Sequence, residues 1–152
     1  MKKKNDLSGM DIEIENYSIR RIQCSELQNC FSFWDFENNL EKRKRIEHEI
    51  DNNIRTMYAY VLNGKYVAGV SLCPADNKTV YLSYLVVNEE YRNQGIGTKM
   101  INYALKTSKN DGYSYIILKV DNDNTEAEKL YKKLGFAAIE KSCEITKMRI
   151  YL

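Results

Sequence analysis

The sequence predicts a mixed α/β domain, with a central, mostly antiparallel sheet flanked by helices. Three observations predict it. Asn63-Gly64 lies between two runs of strand-forming residues, and both residues tolerate the positive φ of a type I′ turn, the strongest short signal for a hairpin. Val80 to Val87 and Tyr115 to Val120 are apolar strand patterns separated by a helical stripe, the layout of a crossover between parallel neighbours. The whole chain, taken in order, reads β-αα-βββ-α-β-α-ββ, with no internal repeat and no low-complexity segment.

Each element has its own signal. Ser18 to Ile22 opens the sheet. Ser25 then caps a segment in which Leu27, Phe31 and Trp34 recur at helical spacing, followed by Ile46, Ile50 and Ile54 at intervals of four. This predicts two short helices between 25 and 54 with a break near Asn38-Asn39. Strands over 57–62 and 65–72 flank the hairpin turn, and a turn around Ala75-Asp76-Asn77 leads into the strand at 80–87. Ile96, Met100, Ala104 and Leu105 form a helical stripe that ends near Asp111-Gly112. Tyr115 to Val120 suits a buried strand. Ala127, Leu130, Tyr131 and Leu134 fall at i, i+3, i+4 and i+7, a short amphipathic helix stopped by Gly135. Strands over 137–141 and 145–151 complete the chain.

Composition bounds the function. A chain of 152 residues fits one domain spanning 1–152, with 1–16 as a flexible or loosely packed N-terminal segment. The basic start, Met1 to Lys4, precedes no apolar run and reads as a solvated tail rather than a signal peptide. A net charge of +2, from 23 basic and 21 acidic residues, is too balanced for a nucleic-acid binder. No stretch approaches the ~18 apolar residues of a membrane span. Cys24, Cys30, Cys73 and Cys143 show no CxxC spacing and the single histidine, His48, stands far from them, so no metal is expected. Free thiols in a cytoplasmic protein, monomer or homodimer, are the expectation.

The informative stretch is VVNEEYRNQGIGTKM, Val86 to Met100, which carries a strand end through two close glycines into a helix. The first turn of a helix leaves about four N–H groups unpaired and adds roughly half a positive charge, so it favours an anion such as phosphate. Gly95 and Gly97 let the backbone approach a ligand without a Cβ. On physics alone two readings stand: an anion-binding loop, or a tight connection that its glycines merely shape. It is neither a GxGxxG fingerprint nor a P-loop, because no Lys-Ser/Thr pair follows the glycines.

With Arg92 at its head and Gln94-Gly95-Ile96-Gly97 at its tail, the loop resembles the acyl-CoA-binding motif R/Q-x-x-G-x-G/A of the GNAT superfamily of N-acetyltransferases. Leu85 and Val87 on the preceding strand, Tyr91 at the loop entry and Thr98 at the helix start fit the same frame. A second run is similar to the family's later helix and turn: Asn124, Ala127, Leu130-Tyr131 and Gly135-Phe136. The resemblance extends from Ser18 onward and is sharpest over 80–136.

It implies a GNAT-like fold that takes acetyl-CoA as cosubstrate without a metal. Arg92, Asn93, Gln94, Gly95, Ile96, Gly97 and Thr98 would wrap the CoA pyrophosphate, mainly through backbone N–H groups. The strand with Leu85, Val86 and Val87 would be bulged and splayed from the strand at 115–120, and the pantetheine arm would fill the gap. Asn124 matches a position that contacts the arm, and Tyr131 matches a tyrosine that protonates the departing thiolate. A phenol of pKa about 10 stays protonated at neutral pH, as that role requires; the spacing of Tyr131 equally allows a core residue.

The base is open. An alkyl ammonium of pKa about 10.4 is only about one part in 2,500 deprotonated at pH 7, a cost of roughly 4.6 kcal/mol. Relatives often carry a Glu where this chain has Tyr81 or Ser83, and here no carboxylate precedes Glu89 on that strand. The alternatives are a water held by Tyr81, Ser83 or Tyr84, or an acid among Glu37, Glu47 and Glu49. Trp34, Tyr81, Ser83 and Tyr84 are the candidates to line an acceptor pocket. The expected activity is acetyl transfer to a primary amine, on a small molecule more readily than on a protein, by direct attack in a ternary complex. The competing reading is a non-catalytic acyl-CoA-binding module, sensor or structural, on the same fold.

Overall fold

A computed structural model of the chain describes the backbone of residues 2–7 and 10–152 and the side chains from Asn16 onward. Strands β1 (Lys2–Leu7) and β2 (Met10–Glu15) pair antiparallel as a separate two-stranded sheet, a hairpin in a segment for which the sequence names no element. Within the expected loose segment 1–16, residues 1, 8 and 9 lie outside the described residues.

The remaining strands form one seven-stranded sheet: β3 (Tyr17–Arg21), β4 (Thr56–Leu62), β5 (Lys65–Pro74), β6 (Thr79–Val87), β7 (Tyr115–Asp121), β8 (Ala137–Lys141) and β9 (Ile145–Tyr151). Their spatial order is β3-β4-β5-β6-β7-β9-β8, antiparallel throughout except for the parallel pair β6–β7. The predicted mixed α/β layer and its parallel crossover are therefore both present. At the β4–β5 turn Asn63 and Gly64 take φ of 50° and 82°, as a type I′ turn demands.

Three α-helices flank the sheet: α1 (Leu40–Asp51), α2 (Ile96–Asn110) and α3 (Thr125–Lys133). The first of the two helices expected over 25–54 is a correction: Cys24–Cys30 forms a 3₁₀ helix instead. Leu27 and Cys30, three apart, both point into the core, the spacing that suits three residues per turn. The chain then turns back, with the Phe33 and Trp34 N–H groups on the Cys30 carbonyl (3.2 and 2.8 Å), so the aromatics that follow reach the sheet from a turn. The expected break does occur, where Asn39 Oδ1 caps α1 by accepting from the Lys42 N–H at 3.0 Å.

Alternation along β4 divides the interior. Tyr58, Tyr60 and Leu62 face a core completed by Met100, Ile116 and Met148 under α2; Met57 and Ala59 face a second core with Ile22, Trp34, Phe36 and Ile46 under α1. Between the two, the middle strands are distorted. Gly69 pairs with Val86 and Ser71 with Ser83, so Val70 alone stands opposite both Tyr84 and Leu85. This is a β-bulge, and Tyr84 within it takes φ 52°, a left-handed conformation that a tyrosine adopts only when its surroundings enforce it. The Trp34 indole N–H enforces it by donating to the Tyr84 carbonyl at 2.9 Å. Gly69 makes room, since a Cβ there would lie 2.2 Å from the Trp34 ring. Past the pairs Thr79–Tyr81 with 115–117, β6 and β7 separate. The parallel seam opens into a cleft.

Candidate active site

The cleft lies where β6 leaves β7 and where α2 begins. Asn93 (φ 61°) and Gly95 (φ 79°) turn the chain sharply into the helix. Intrahelical bonding starts with the Lys99 N–H on the Gly95 carbonyl at 3.1 Å, which leaves the Ile96, Gly97 and Thr98 N–H groups without an intrahelical partner. The first turn of α2 holds no acidic residue to compete for them. Gly95 is required by its positive φ. Gly97 is required by neither conformation nor packing, because a Cβ on it would meet only Val87 Cγ2, at 3.9 Å. Its missing side chain leaves open space in front of the helix end.

Leu85, Val86, Val87, Arg92, Asn93, Gly95, Ile96, Gly97, Thr98, Asn124 and Tyr131 all line one cavity of about 740 Å³, joined by Tyr91, Glu126, Ala127, Lys129 and Leu130. Residues far apart in sequence thus converge on a volume ordinary for a small-molecule site. Gln94, expected among them, is exposed and stays out of the wall. Arg92 folds back, its Nε donating to the Val87 carbonyl at 3.0 Å, and so fastens the loop to the end of β6. Asn124 caps α3 by accepting from the Ala127 N–H at 3.2 Å. Tyr131 rests edge-on against Phe136, 5.7 Å between centroids, and its hydroxyl has no hydrogen-bond partner among the described residues. Burial pushes this phenol above its ordinary value, so it stays protonated at neutral pH.

The other face of β6 carries the residues expected near an acceptor. Tyr81, Ser83 and Tyr84 are half-buried there. Trp34, at 1% exposure, lies behind the bulge and holds it through the Tyr84 carbonyl. Sequence reading missed the residue that organises this face. Arg55, only 8% exposed, donates from Nη1 to Ser71 Oγ (2.7 Å) and Ser83 Oγ (3.3 Å) and from Nε to Glu49 (2.7 Å). It sits between a helix and a strand, where no periodicity marks a residue as buried. Among the acids weighed as a base, Glu49 is held by Arg55 and by Arg45 (3.6 Å), Glu47 is held by Arg43 (2.8 Å), and Glu37 is exposed.

A family model for the acetyltransferase (GNAT) family matches residues 17–136, from β3 through the turn after α3. The chain belongs to the GNAT family. Among GNAT relatives, N-alpha-acetyltransferase 30 of Schizosaccharomyces pombe is 41% identical over 56 residues, 37% of each chain. N-alpha-acetyltransferase 50 of Danio rerio is 38% identical over 77 residues, 47% of this chain and 46% of that one. The match thus spans less than half the length of these relatives. In structure the chain resembles the PaiA N-acetyltransferase of Thermoplasma acidophilum in complex with coenzyme A, with TM-score 0.77, 18% identity, and 90% and 99% of the two chains covered. A GNAT acetyltransferase from Elizabethkingia anophelis with acetyl-CoA bound superposes at TM-score 0.72, with 18% identity over 90% and 99%. These neighbours share the GNAT fold. Among the described residues, no helix is long and apolar enough to cross a membrane.

Proposed function

We propose that the chain is an acetyl-CoA-dependent N-acetyltransferase that modifies a primary amine on a small molecule by direct attack in a ternary complex. The observation that carries this is the convergence of the glycine loop, the splayed strand and Tyr131 on one cavity. The fit is physical. The free N–H groups of Ile96, Gly97 and Thr98 suit the CoA pyrophosphate, and the space before Gly97 lets it come close. Beyond Tyr81, β6 has no β7 partner, so Leu85, Val86 and Val87 offer backbone groups to an amide-bearing arm as a further strand would. Asn124 borders the same volume.

Bound acetyl-CoA supplies an activated acyl thioester. The amine nitrogen forms a bond to the acyl carbon, the carbon–sulfur bond breaks, and the amine loses a proton. Tyr131 gives its hydroxyl proton to the departing thiolate and recovers one from solvent before the next turnover, a task suited to a phenol kept neutral by burial. The paired state of Glu47 and Glu49 speaks against either as a base, and Glu37 is a solvent-exposed charge, so the amine proton leaves through water beside Tyr81, Ser83 or Tyr84. Tyr131, which lines the cavity and whose hydroxyl has no hydrogen-bond partner among the described residues, also weighs against a purely binding module.

A second acceptor class has one observation in its favour. The curated relatives include enzymes named N-alpha-acetyltransferases, so a protein α-amine is the alternative. The test has two parts. Saturating acetyl-CoA should raise the unfolding midpoint where ATP and NAD do not; ligand at 100 times its Kd adds about 2.7 kcal/mol. Release of CoA thiol with a panel of small amines, but not with peptides, is the expected outcome. No shift at millimolar acetyl-CoA would end the proposal.

A further inference from the structure

The face of β6 turned away from the cavity sets two cations against one aromatic ring. The Tyr84 ring has the Lys42 ammonium at 5.0 Å and the Arg55 guanidinium at 5.4 Å from its centroid. Lys42 has no carboxylate partner among the described residues. Glu49 is shared by Arg45 and Arg55. The free acids nearby are exposed: Glu41 in the shallow groove that Asn39, Lys42 and Arg45 line, and Asp35 and Glu37 on either side of Phe36, whose ring stands edge-on to Tyr84 at 5.7 Å. The charges in direct contact with the Tyr84 ring are therefore the two cations, Lys42 and Arg55.

Arg55 adds the specific element. Its Nε and Nη1 are engaged, and Nη2 has no hydrogen-bond partner among the described residues. The one fully buried side-chain polar atom without a partner among them is Ser108 Oγ, so Nη2 reaches solvent although its residue is over nine-tenths buried. A guanidinium held through three hydrogen bonds, with both N–H groups of Nη2 open, is built to receive an acceptor oxygen. It stands against the Ser83 hydroxyl, on the strand whose bulge borders the cavity.

We propose that the acceptor is an amino-acid-like molecule, carrying a carboxylate within a few bonds of its reactive amine, and that Arg55 receives the carboxylate with Lys42 beside it. This rests on the transferase reading above. The same cations favour the neutral amine over the ammonium, which reduces the need for the carboxylate base that this strand lacks. A diamine or polyamine would set its second cation against Lys42 and Arg55 at the Tyr84 ring.

The experiment compares amino acids with their C-terminal carboxamides by CoA-thiol release, each acceptor at its own kcat/KM. The bias of the comparison runs against the proposal, because an α-amine next to an amide has a pKa of only about 8 and is more often neutral. The expected result is a preference of about tenfold or more for the free carboxylate, the factor of one charge-assisted hydrogen bond. In the double variant Arg55→Gln/Glu49→Gln, which leaves neither partner as a lone buried charge, that ratio falls toward one while the unfolding midpoint shows a folded protein. Preference for carboxamides or polyamines in the wild type overturns the carboxylate site and leaves the transferase standing. Acetyl-CoA binding with turnover of no amine at all overturns both.

Discussion

Replacing Gly97 by alanine separates folding from ligand binding more cleanly than any other change in the loop. Gly95 is unsuitable, because at φ 79° any side chain is strained whatever it touches. At Gly97 the added methyl lies 3.9 Å from Val87 Cγ2, an ordinary contact, and the residue sits in the first turn of α2. Alanine gains roughly 0.5–1 kcal/mol over glycine in a helix, and a domain of this size moves by about 2–4 °C per kcal/mol, so the midpoint should rise by a few degrees. The same methyl occupies the approach to the free N–H groups. Losing one charge-assisted hydrogen bond of about 1.5–3 kcal/mol weakens binding by roughly one to two powers of ten. Calorimetric titration with acetyl-CoA, beside urea unfolding without ligand, reads both effects on one sample. A variant that is more stable and binds within twofold of wild type would show that no ligand comes close at this turn, and the pyrophosphate assignment would fail.

Gly69→Ala should do the reverse, pushing the Trp34 ring off the Tyr84 carbonyl and costing about 2–4 kcal/mol from overpacking and a lost hydrogen bond; a urea midpoint equal to wild type would remove Gly69 from the support of the bulge. Tyr131→Phe should lower kcat by about 10²-fold or more while leaving acetyl-CoA affinity nearly intact, and full activity in steady-state assays would return Tyr131 to the core. Burial pushes the Cys30 thiol up from 9.0 to about 12 and raises the phenols of Tyr58 and Tyr131, so the folded state keeps protons that the unfolded chain releases. Stability should therefore be full below pH about 9 and fall as pH rises toward 12, less steeply in Cys30→Ala; urea midpoints that stay flat to pH 11 would contradict the linkage.

Local chemistry was legible in the sequence and long-range geometry was not. The turn at Asn63-Gly64, the strands at 137–141 and 145–151, the break at Asn38-Asn39 and the glycine loop each depend on a few adjacent residues, and each is found in place. The 3₁₀ helix at Cys24–Cys30 was misread because apolar residues three and four apart serve either helix type, and only the turn back at Cys30 decides between them. Arg55 sits in a stretch with no periodic signal, and its partners Ser71 and Ser83 lie 16 and 28 residues away. A buried arginine is recognisable only when those partners are brought beside it.

The bulge shows why such features escape a sequence reading even when a family resemblance announces them. A tyrosine at φ 52° costs on the order of 1–3 kcal/mol, and nothing in the apolar run from Val80 to Val87 reveals that Tyr84 is the residue that bears it. The strain persists because two remote choices support it, an indole 50 residues upstream and the absence of a Cβ at Gly69. Neither choice makes sense alone. Trp34 looks like a core aromatic and Gly69 like a weak point in a strand, yet together they fix the bulge where β6 gains a residue, just past its last pair with β7. A local conflict of this kind, held by compensations elsewhere, marks the position where the sheet gives up pairing to leave a strand edge open for a ligand.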